Sequence, residues 1–161
     1  MQRLLKALHQ IGGIGLAGSL AACIVLAATA PTDSLVGYAA VRQGIAAVSQ
    51  WLLVPSLALV LVSGLLAVAA NRAYHDAGWA WLKALLGIVM FEGTLITISG
   101  SARRAAELSA LAAAGEGDPA KLTEVLRTEW GSLWLILALS IANVLLAVWR
   151  PKLRWRPAAD G

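Results

Sequence analysis

Apolar residues gather in four stretches along the chain, at about 8–29, 48–70, 80–100 and 133–149. Three of them run for roughly 17 to 20 residues without Asp, Glu, Lys or Arg, long enough to cross a hydrocarbon core of about 30 Å as helices. The third stretch is interrupted by one acid, Glu92, beyond Lys83 near its start. Short polar connections separate the first from the second ("APTDS", 30–34) and the second from the third ("NRAYHDAGW", 71–79). The pattern predicts an all-α, integral-membrane four-helix bundle forming a single domain over 1–161, its helices packed against one another in lipid.

Punctuation within the stretches adds detail. The first is rich in small residues, and its pairs Gly15/Ser19 and Gly18/Ala22 predict close approach of a neighbouring backbone. Pro31 ends that helix, and Asp33 or Ser34 is the cap from which the chain restarts, with the second helix beginning near Tyr38. Pro55 lies inside the second stretch, where it removes a backbone hydrogen bond and predicts a kink. The third helix has no reason to stop at the membrane surface. "SARRAAELSALAAA" is strongly helix-forming up to "GEGDP" (115–119), and Asp118 followed by Pro119 is a start signal for a fourth helix running unbroken into the last stretch. The last two spans thus form a helical hairpin, 101–130, whose tip reaches about 20 Å beyond the membrane at 1.5 Å per residue.

Composition agrees with this reading. The 161 residues are 59% hydrophobic and only 14% charged, and the mean hydropathy is +0.73, against about a quarter charged in soluble domains. A net charge of +4 would suggest nucleic acid in a soluble chain, but here topology accounts for it. Arg3, Lys6, Arg72 and the tail residues Arg150, Lys152, Arg154 and Arg156 fall on the side of the termini. Arg42 stands alone in one opposite segment, and the acids of the hairpin nearly balance its bases. The positive-inside rule places both termini in the cytoplasm of a cell whose inner (plasma) membrane the chain crosses. "WRPKLRWRP" (149–157) reads as an interfacial anchor on anionic lipid. One cysteine, Cys23, excludes an intramolecular disulfide. "LAAC" (20–23) has the look of a lipoprotein cleavage box, but the apolar run continues past it, so the first helix is expected to be retained.

Four residues carry candidate chemistry. Glu92 is a carboxyl near the middle of a span, which is costly and points to a proton site, a cation site, or a hydrogen bond to Asn143 or Ser140 of the fourth helix. Lys83 lies nine residues earlier, about 900° around the helix, so the two project from opposite faces. With both faces polar, the third helix is expected at the centre of the bundle. Lys83 and His9 fall at similar depth near the terminus ends of their helices. A histidine beside a glycine-lined helix can give an axial nitrogen to haem, and a nearby lysine can pair with a propionate, but either residue also fits an interfacial side chain reaching headgroups. His75 reads as a loop residue.

"LLKALHQIGG" (4–13), the proline-bearing "WLLVPSLALVLVSGLL" (51–66) and "WAWLKALLG" (79–87) resemble an uncharacterised family of bacterial four-helix integral-membrane proteins. More distantly they are similar to the HemJ-type protoporphyrinogen oxidases and the CopD-like copper-resistance membrane proteins. The resemblance implies haem b or a porphyrin bound through a first-helix histidine and a third-helix lysine, at positions His9 and Lys83. The sequence departs from the HemJ-type pattern in placing Lys83 directly after "WL", in carrying Glu92, and in its long hairpin. No nucleophile triad, phosphate-cradling loop or metal-binding motif is present. Three functions follow as expectations: a haem- or porphyrin-binding membrane protein, a proton-coupled transport component built on Glu92, and a noncatalytic scaffold. Each leaves room for homo-oligomers or a membrane-protein partner at the glycine-rich first helix or the hairpin.

Overall fold

A computed structural model describes residues 2–70 and 78–149. These residues form four long helices: α1, Gln2–Thr29; α2, Leu35–Ala69; α3, Gly78–Ala113; and α4, Pro119–Trp149. All four are long and apolar enough to cross a membrane. Consecutive helices run antiparallel, so 30–34 and 114–118 lie at one end of the bundle, here called the hairpin end. The first turn of α1, Ala70 and Gly78 lie at the other, the terminus end. The tail 150–161, expected to be an interfacial anchor, and Arg72 and His75 lie outside the described residues.

The capping chemistry is as the sequence predicts. The Ser34 hydroxyl accepts from the Gly37 amide at 3.1 Å and starts α2 at Leu35, three residues before the expected Tyr38. Asp118 Oδ1 accepts from the Ala120 amide at 3.0 Å, with Pro119 in the first turn, where its missing N–H costs nothing. Just past the end of α3 lies Gly115, whose φ of +83° suits glycine, while the Glu116 amide reaches back to the Leu111 carbonyl at 2.9 Å.

Both middle helices contain a wide turn. In α2 a π-helical stretch, Ser49–Leu53, immediately precedes Pro55. It absorbs the register change a proline forces, so the predicted kink takes the form of a local overwidening of the helix. A second, Thr94–Ser99, lies in α3 after Gly93, where the Thr97 and Ser101 hydroxyls turn back onto the carbonyls of Gly93 and Thr97.

The main core lies between the helices around Leu20, Cys23, Ile45, Leu53, Met90 and Leu133. α1 packs most intimately on the half of α2 beyond Pro55. The reason is glycine: a Cβ on Gly15 would stand 2.3 Å from Ser56 Oγ, and one on Gly12 would stand 3.0 Å from the Ser56 carbonyl. Gly18 meets nothing within 4 Å, so of the two expected small-residue pairs only the one containing Gly15 serves close packing. At the hairpin end the first turns of α2 lie along α3 beyond Gly100, covering Ala102, Ala105 and Ala106. The hairpin between α3 and α4 is therefore buttressed by a third helix.

Candidate ligand site at the terminus end

His9 lies in the third turn of α1, held over α2 by the Gly12 and Gly15 contacts. Its Nδ1 is 3.0 Å from the Val60 carbonyl oxygen and 3.1 Å from Ser63 Oγ. A carbonyl only accepts, so Nδ1 carries the hydrogen. The Ser63 hydroxyl donates to the Leu59 carbonyl at 2.5 Å, which leaves its oxygen free to accept the same Nδ1–H. In a neutral ring so pinned, Nε2 holds the lone pair, and α2 does not engage it. Gly64 sits beneath the ring, where even a Cβ would lie 3.4 Å from Cε1.

The ring borders a cavity of about 490 Å³ whose other walls include Gln10, Gly64, Trp79, Lys83 and Asn143. The expected proximity of His9 and Lys83 is realised: both line this one cavity, contributed by α1 and α3. Lys83 has no hydrogen bond or ion pair among the described residues. The cavity continues into an apolar slot of about 780 Å³ between α1 and α4, helices that barely touch each other, floored by Leu57 and Met90. Ser140 and Asn143 line the slot, and Ser140 Oγ and Asn143 Oδ1 are buried without a partner. An unengaged imidazole nitrogen and the unpaired Lys83 side chain thus meet at the polar mouth of an apolar slot, the composition of a site for a mostly apolar ligand with a few polar groups.

Glu92 is not part of this arrangement. Its side chain is exposed on the outer face of α3, whereas Asn143 lies against the Lys83 and Gly87 face. The expected hydrogen bond from Glu92 to Asn143 or Ser140 is absent, and the reason is helical phase: half a turn separates Glu92 from the face that α4 covers. For the same reason the third helix is not enclosed on both sides by this chain.

Sequence reasoning missed a second polar centre. Arg42 of α2 and Glu129 of α4 form an ion pair through Nη2 and Oε2, each residue only 1% exposed. Arg42 Nε, Glu129 Oε1, Ser49 Oγ and Thr94 Oγ1 have no partner. Arg42 was visible only as a base in a connecting segment and Glu129 as one acid among several on the hairpin. The available signal was the run of small residues around Arg42, Ala39 to Ala47, which clears room for a long side chain between helices.

The described residues contain no group of three or more His, Cys, Asp or Glu side chains placed to hold a metal ion. No protein-family profile, curated protein or solved structure matches the chain. The fold and site define a class, an all-α bundle of four membrane-length helices with a ligand-sized cavity at one end.

Proposed function

We propose that the chain is a multi-pass protein of the bacterial inner membrane, both termini cytoplasmic, that binds haem b or a porphyrin at the mouth formed by His9 and Lys83. The observation that carries this reading is the pinned tautomer of His9. Metal-ligating histidines characteristically donate their other ring N–H to a carbonyl, which orients the ring and raises the basicity of the ligating nitrogen. His9 donates to Val60 and Ser63 in that way. His9 Nε2 would hold the iron of haem, and the Lys83 ammonium would pair with a propionate of an otherwise apolar ring. The slot between α1 and α4 offers an apolar ring a path from the bilayer. Bound haem iron would supply one-electron chemistry; the chain's own residues position the ring and exclude water.

The exposed placement of Glu92, away from cavity and slot, argues against a proton pathway through the interior. The test is the visible spectrum, oxidised and dithionite-reduced, of protein purified in mild detergent from haem-supplemented cells, beside His9→Ala and Lys83→Met. The reading expects a Soret band that shifts on reduction, disappears in His9→Ala, and persists with weaker binding in Lys83→Met. A featureless spectrum from folded protein, even after added haem or protoporphyrin, would sink it and leave the noncatalytic scaffold.

A further inference from the structure

Glu92 poses a problem that the ligand reading leaves untouched. It lies in mid-span on an outward face of α3 with Leu85, Val89 and Ile96, which are 58%, 51% and 74% exposed. No hydrogen bond or ion pair reaches it among the described residues. Lys83 projects from the opposite face and lines the cavity. A carboxyl left against hydrocarbon is costly, and intramembrane acids are nearly always met by a partner.

The membrane restricts what that partner can be. Two copies of one chain lie in the bilayer in the same orientation, so a two-fold axis between them runs along the membrane normal and each residue meets groups at its own depth. The other exposed polar side chains do not qualify. Gln10 and Gln50 lie within about one turn of the ends of the apolar stretches 8–29 and 48–70, Trp134 is at the start of 133–149, and Arg103 is beyond 100. Ser56, Ser140 and Asn143, which are deeper, are only part-exposed and face inward or line the slot. Among the described residues Glu92 is therefore the one exposed polar side chain near mid-bilayer, and a second copy has only Glu92 to offer it. Two carboxyls suit that role, since a carboxylic acid offers both an O–H donor and an acceptor oxygen to its equivalent. Toward the hairpin end, Ser99 and Gly100 thin the α3 surface and permit close helix approach.

We propose that the outer face of α3 is a homodimer interface in which Glu92 of each copy hydrogen-bonds its equivalent across a two-fold axis. The proposal is independent of whether the cavity binds haem. It is tested on the full chain in dilute lipid nanodiscs or bilayers, with self-association read by energy transfer between copies carrying donor or acceptor fluorophores. Glu92→Gln keeps one donor and one acceptor and is expected to associate like the wild type. Glu92→Leu removes both at a lipid-facing position that tolerates leucine, and is expected to raise the dissociation constant at least tenfold. In a Cys23→Ala background, Val89→Cys is expected to cross-link between copies, and Val62→Cys, exposed on α2, is not. Equal association of wild type and Glu92→Leu would overturn the proposal. So would a monomeric wild type, whether Glu92 is then covered by lipid or by another protein, or cross-linking at Val62→Cys in preference to Val89→Cys.

Discussion

Glu129→Ala isolates the Arg42–Glu129 pair, which ties α2 to α4 at the hairpin end. Both side chains are nearly inaccessible, and among the described residues no second acid pairs with Arg42. Truncating Glu129 leaves a guanidinium buried and unpaired, a perturbation worth about 3–5 kcal/mol. In a chain of this size each kcal/mol moves the midpoint by roughly 2–4 °C, so thermal unfolding in detergent should fall by roughly 6–20 °C. The exposed pair Lys121–Asp118, with its 3.6 Å separation, is the internal control, and Lys121→Ala should cost no more than about 1 kcal/mol. The double replacement Arg42→Met with Glu129→Leu removes both charges while keeping volume, and should return stability to within about 1 kcal/mol of the wild type or above it. The singles would then be strongly non-additive, as expected for residues in direct contact. If Glu129→Ala melts no lower than Lys121→Ala, or the double variant is as unstable as the sum of the singles, the pair is not the buried, mutually compensating unit described.

Two further substitutions test the packing that supports the cavity. Gly15→Val drives a side chain into Ser56 and should cost about 1–3 kcal/mol of overpacking, with loss of haem binding by displacement of His9 if the cavity holds haem. Gly18→Val meets open space and should stay within about 0.5 kcal/mol of the wild type in the same thermal assay. Asp118→Ala removes the cap of α4 and should cost about 1 kcal/mol, read as faster proteolysis at 113–119; unchanged cleavage would mean that the hairpin turn does not depend on the cap.

The number of helices, their order and the hairpin were legible because each rests on local signals: runs of apolar residues, Pro31, Asp118–Pro119 and Gly115. The proximity of His9 and Lys83 was legible for a different reason, since topology alone brings the terminus ends of α1 and α3 to one depth. What the sequence did not carry was rotation. Whether Glu92 faces α4 or lipid depends on how α3 is turned about its axis, and the π-helical turns in α2 and α3 shift that phase locally without any strong signal of their own. Nor was the packing of the first turns of α2 plain, because "GYAAVRQGIAAV" is too weakly patterned to reveal that its small residues pack on α3 while enclosing Arg42. Buried charge pairs between distant segments leave a sequence trace only in the small residues that make space for them.

The polar groups of the bundle sort by depth and by direction, and this sorting makes the two proposals compatible. Arg42 and Glu129 fasten the hairpin end, while His9 and Lys83 converge at the terminus end. α3 links the two proposals because it carries Lys83 toward the cavity and Glu92 away from it, half a turn apart in helical phase. A second copy seated on the Glu92 face therefore covers neither Lys83 nor the slot between α1 and α4, through which an apolar ligand would enter from the bilayer. Dimerisation would leave one open slot on each copy. Haem binding should accordingly saturate at one ring per chain in both wild type and Glu92→Leu. A ratio that dropped to one ring per two chains only in the associated protein would mean that the interface lies over the slot, and that the assigned face is wrong.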